Sequence, residues 1–63
     1  MVNYDLSESL VKIRSMYQRS LITGFETLHL ILDDVSANGY GNKLKRNAYR
    51  LLKDVARDME HDI

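Results

Sequence analysis

Five cations, Lys43, Arg46, Arg50, Lys53 and Arg57, recur at spacings of 3, 4, 3 and 4. At about 100° per residue a helix would gather them into an arc of about 80°. Such a ridge could track a phosphate backbone or grip an acidic protein. Only Asp54 interrupts the acid-free run from 43 to 57. The plainer reading is a solvated face, which every amphipathic helix needs. The ridge lies roughly opposite Leu44, Leu51 and Val55, where that face must be. Tyr49 sits on its flank, nearer the apolar side, so stacking on single-stranded nucleic acid has little support.

The stretch NGYGNKLKR, residues 38–46, leads into this ridge. Amides of Asn42 to Leu44 at a helix start could hold an anion, with Lys43, Lys45 and Arg46 nearby. The glycine spacing matches neither a P-loop nor a dinucleotide fingerprint, and no strand precedes it. Asn38-Gly39 better suits a helix stop and Gly41-Asn42 a helix start, with Asn42 as the cap. Tyr40 at the tip is either a contact residue or a side chain folded back over the helix ends.

Catalytic chemistry has little to build on. Asp33 and Asp34 are adjacent, so their side chains diverge on a helix, and Glu26 stands apart. Ser7, Ser9, Ser15 and Ser20 have no positioned His–Asp partner in the sequence. His29 and His61 stand far apart and show no ligand-like spacing to Asp or Glu. There is no Cys, which excludes disulfides and thiolate metal sites. So short a chain offers little room for a pocket of ~300 Å³ or more. The expectation is a non-enzyme with no cofactor and no metal.

The elements that would carry these residues are helical. The chain has 63 residues, no Pro and three Gly, with nine cations balancing nine anions. It can form one domain at most, and a domain this small buries only about 60% of its unfolded surface. Without disulfides or a metal, close helix packing or a second subunit must supply stability. No apolar run reaches the ~18 residues of a membrane span, and MVNYDLSESL does not read as a signal peptide. A cytoplasmic setting is expected.

A first helix should start near residue 6, capped by Asp5 with Glu8 or by Ser7 with a Leu6/Val11 staple. Its apolar row runs Leu6, Leu10, Ile13 and Tyr17, continuing through Leu21, Phe25, Leu28, Leu32 and Val35. The rhythm stutters between Tyr17 and Phe25, where Gly24 lies and where Thr23 and Glu26 form a capping box. The favoured expectation is an all-α helical hairpin: a helix over about 6–36, bent near Gly24, a loop over 37–42 and a helix over about 43–60. The alternative is a three-helix bundle broken near 23–24. Unbroken, the first helix would span roughly 46 Å against roughly 27 Å for the second, leaving an overhang for a second subunit. The second helix presents Leu44, Ala48, Leu51, Leu52, Val55 and Met59 on one face. Its acidic end (Asp58, Glu60, Asp62) opposes the helix dipole, so fraying is expected from about Asp58.

A second stripe adjoins the first row: Val11, Arg14, Gln18, Ile22, Phe25 and His29. Together they exceed what one packing helix covers, which suggests a homodimer seam or a partner groove. Leu30 points away from both rows. The leading expectation is a small non-enzymatic protein that binds and modulates another protein, as an inhibitor, adaptor or regulator, and forms a homodimer. The second is an RNA- or DNA-binding regulator using the basic ridge, and the third an anion or nucleotide site at residues 38–46. In length and presumed hairpin form the chain is similar to Rop-type RNA-binding helical dimers, a likeness of architecture alone that implies two ridges bracketing a duplex. A short frame free of Cys and Pro would suit an accessory gene of a phage, plasmid or bacterium.

Overall fold

A computed structural model describes residues 4–61. It is all-helical, with α1 (Glu8–Gln18), α2 (Gly24–Asn38) and α3 (Asn42–His61). The bent, nearly continuous first helix is replaced by two helices, and the three-helix arrangement is the fold. This departs from the two-helix hairpin on which the likeness to Rop-type dimers stood.

The break comes earlier than Gly24, and its cause is local. Ser20 takes a left-handed conformation at φ 60°. The amide of Leu21 then donates to the Met16 carbonyl at 2.9 Å, and that of Ser20 to Tyr17 at 3.0 Å. These paired bonds are a Schellman stop, built on Ser where Gly is usual. Thr23 restarts the helix: its hydroxyl accepts from the Glu26 amide at 3.1 Å. Gly24 is therefore the first residue of α2. A Cβ there would lie 2.5 Å from Met59 Sδ, so its smallness leaves room for the Met59 side chain of α3.

Ser7 is the cap of α1, accepting from the Leu10 amide at 3.2 Å. Asp5 is used elsewhere. Gly39, left-handed at φ 57°, ends α2 as expected. Asn42 is not the cap of α3 but lies inside it, and the Gly41 carbonyl accepts from the Lys45 amide at 2.9 Å. α3 holds its helical form to His61, so the expected fraying from Asp58 is not seen. Asp62, counted in that acidic end, lies outside the described residues.

The core is Leu10 and Ile13 from α1, Ile31 from α2, and Ala48, Leu51 and Val55 from α3. Thr27 is buried with them, its hydroxyl donating to the Thr23 carbonyl at 2.7 Å. α2 is thus rotated from the expected phase. Thr27 and Ile31 face inward, while Phe25 and Leu32 face solvent. Leu30, expected to point away, is half-buried against the core.

Candidate interaction surfaces

The break distributes the expected partner stripe over separate places. Val11 is exposed beside Lys12, Ser15, Met16 and Arg19, in a shallow groove on the outer side of α1. Gln18 and Ile22 line a different, open groove of about 910 Å³ facing the C-terminal half of α3. Arg14 is half-buried. Phe25 and His29 stay together elsewhere, on the outside of α2. A stripe read along one helix cannot survive a left-handed residue in the middle, because every later side chain is re-aimed.

What α2 does expose is a new row. Phe25, His29, Leu32 and Ser36 follow at spacings of 4, 3 and 4 and are all exposed. They share one face, turned away from Thr27 and Ile31. Phe25 is 78% exposed and Leu32 47%. Glu26 and Asp33 flank this row, and both are exposed. From Ser20 through Asn42 the chain has no Lys or Arg at all. All nine cations lie before or after that stretch, so α2 itself contributes only apolar and acidic side chains here, and Lys45 of α3 borders Leu32 and Ser36.

The α3 ridge has its own occupant. The extended segment before α1 lies along α3, antiparallel to it. Asp5 pairs with Lys43 at 3.0 Å, a contact exposed enough to add little stability. The Asp5 carbonyl accepts from the buried Asn47 side chain at 2.8 Å. The Tyr4 ring lies under the Arg50 guanidinium, 5.0 Å from centroid to carbon. The Tyr4 hydroxyl donates to Asp54 at 2.9 Å. Lys43, Asn47, Arg50 and Asp54 form one α3 stripe at spacings of 4, 3 and 4, and two adjacent residues of the segment engage all four. Burial, with the Asp54 bond second, pushes the Tyr4 phenol up to about 12, so it stays protonated as the donor. Arg46, Lys53 and Arg57 are exposed and have no ion-pair partner among the described residues.

One α3 turn further on, Tyr17 donates to Asp58 at 2.5 Å. Tyr4, Tyr17, Arg50, Asp54, Arg57 and Asp58 thus line the larger groove with mixed charge and with both hydroxyls engaged. It is roomier than so short a chain suggested, but open on its outer side.

The loop is structural. Tyr40 folds back: it donates to the Asp34 carboxylate, and its oxygen lies 2.7 Å from Ser7 Oγ. Asp34 also accepts from the Asn38 side chain at 3.0 Å. Loss of solvent, and then the Asp34 bond, raise the Tyr40 phenol. The loop therefore ties α2 to the start of α1.

Sequence reasoning missed Tyr4, Asp5 and Asn47. A signal for Asn47 existed: a polar residue beside Ala48 and Leu51 on an otherwise apolar helix face needs a buried partner. Among the described residues no three His, Asp or Glu side chains converge as a metal site, and no helix is long and apolar enough to cross a membrane. Comparison with protein-family models, curated proteins and solved structures found no match.

Proposed function

We propose that this chain is a small non-enzymatic interaction module that docks a partner protein on the outer face of α2. The observation that carries the reading is Phe25, a large aromatic side chain 78% exposed on a regular helix. Exposed aromatics of this kind, seated on a rigid element, are what binding hot spots are made of. Covering Phe25 would stabilise a complex by about 2 kcal/mol from apolar burial alone. The open grooves and the internally bonded tyrosine hydroxyls support a binding role over a catalytic one.

The homodimer expected from sequence rested on the surplus stripe beside the main apolar row and on an overhang of the first helix, and the break at Ser20 divides both. What remains for a second copy is the same α2 face. Glu26 and Asp33 lie on one flank of that face, and Lys45 borders Leu32 and Ser36. We propose a different protein as the partner; self-association would reveal a second copy instead.

The test is pull-down from the native host with the parent chain and with Phe25→Ser, followed by mass spectrometry. The reading expects a protein captured by the parent and lost with the variant. A captured set that Phe25→Ser leaves unchanged would remove the α2 face from consideration. Nucleic acid in the captured material, lost when Arg46, Arg50 and Lys53 become Ala, would favour the ridge instead. Its affinity should then fall steeply with salt.

A further inference from the structure

The charge around Phe25 specifies the partner more closely. We infer that the α2 face takes an amphipathic helix whose apolar stripe is flanked by Lys or Arg on the side that meets Glu26 and Asp33. This rests on the reading of α2 as the docking face. The row Phe25, His29, Leu32 and Ser36 runs three turns along α2, the length over which one helix packs on another. A groove-bound helix is anchored through apolar residues at such spacings, and its flanking charges choose between partners. Here the flank carries Glu26 and Asp33, exposed and without an ion-pair partner among the described residues. No Lys or Arg lies within the whole stretch from 20 to 42. On the flank that carries Glu26 and Asp33 an acidic helix would meet like charge and a basic one opposite charge, while Lys45 of α3 borders Leu32 and Ser36 on the other side. The chain as a whole is neutral, so the preference is local to the face and not a general attraction of cations.

Three labelled 18-residue peptides test it by fluorescence anisotropy: an amphipathic Leu/Lys helix, a matched Leu/Glu helix and a scrambled Leu/Lys chain without an apolar stripe. The parent should bind the Leu/Lys helix at least about tenfold tighter than either control, and more weakly as salt rises. Phe25→Ser should weaken that binding about tenfold or more. Glu26→Lys with Asp33→Lys should reverse the preference toward Leu/Glu. All substituted positions are exposed, and matching thermal melts confirm that the variants fold. Equal binding of Leu/Lys and Leu/Glu peptides, both lost with Phe25→Ser, would overturn the charge inference while leaving the docking face intact. Binding untouched by Phe25→Ser, or equal binding of the scrambled chain, would overturn the face as well. No binding of any peptide would overturn the inference, and the host pull-down would then judge the docking face on its own. Self-association of the parent at micromolar concentration, abolished by Phe25→Ser, would give the face to a second copy and overturn it too.

Discussion

The ridge of α3 and the outer face of α2 both follow helical period, yet one is already in use within the molecule. Along α3, Tyr4 and Asp5 lie on Lys43, Asn47, Arg50 and Asp54, so part of the cationic ridge holds the chain's own N-terminal segment. Along α2, nothing in the fold touches the outward ring of Phe25 closely enough to hide it. Long cationic side chains serve packing and charge pairing inside a small protein as readily as they serve a ligand. An exposed phenyl ring on a helix has no such second use. Exposure of apolar area therefore discriminates better than regular charge.

The sharpest contrast lies within α2 itself. Ile31 is fully buried, and Phe25 faces solvent less than two turns away. Ile31→Ala should destabilise the fold by about 3 kcal/mol through lost burial and a cavity. In a domain this small the melting temperature should fall by more than about 10 °C. Phe25→Ser should change stability by no more than about 0.5 kcal/mol, although it removes far more side-chain volume. Urea titrations of both variants decide. If Phe25→Ser costs as much as Ile31→Ala, the outer face of α2 is packed inside the fold and the comparison collapses.

That phase of α2 was the part of the fold the sequence concealed. The α1 pair Leu10 and Ile13 and the α3 set Ala48, Leu51 and Val55 were legible because most apolar residues there gather on one face, Val11 and Tyr49 being the exposed exceptions. In α2, Leu28, Leu30, Ile31 and Leu32 lie nearly around the helix, so period alone selects no inner side. In the fold Thr27 and Ile31 are the buried pair, and Gly24 lies against the Met59 side chain of α3. Ser20 hid the break, since serine is uncommon as a left-handed helix stop. Of the candidate sites, the ridge and Phe25 were visible in sequence. The segment lying on the ridge was not, because its bonds to α3 span more than 40 positions and run partly through a backbone carbonyl.

The occupied side can be loosened to sharpen the contrast. Asn47→Ala removes the amide that holds the Asp5 carbonyl. The expected cost is about 1–2 kcal/mol for a lost, largely buried hydrogen bond. With that anchor gone, Lys43 and Arg50 should become more available to anions. Weak binding of duplex RNA at low salt should rise a few-fold if the ridge can bind it at all. An unchanged denaturation curve would mean that the segment is not held as described.

A stabilising change tests the break that re-aims α2. A non-glycine residue in the left-handed region costs about 1–2 kcal/mol. Ser20→Gly removes that strain but gives an unfolded chain with more freedom. The net expectation is a gain of about 0.5–1 kcal/mol, read as a higher urea midpoint. A loss would show that Ser20 is not the stop residue, and the exposure of Phe25 would lose its structural cause.

The smallest effect concerns the tyrosine at the end of the occupied ridge. Tyr4 is raised from its ordinary value of 10.0 to about 12, chiefly by burial and then by the Asp54 bond, with Arg14 and Arg50 pulling the other way. A group raised on folding stabilises fully below its unfolded pKa and loses that contribution as pH climbs through its folded one. Stability should therefore hold up to about pH 10 on this account and decline toward pH 12. The ring is only partly buried, so the loss at pH 11 should stay below about 1 kcal/mol. The comparison with Tyr4→Phe isolates the phenol. That variant should be less stable at pH 7, lacking the Asp54 bond, yet decline less between pH 10 and 12. Parallel declines would place the Tyr4 hydroxyl in water rather than on Asp54, and the ridge of α3 would then be as open as the face of α2.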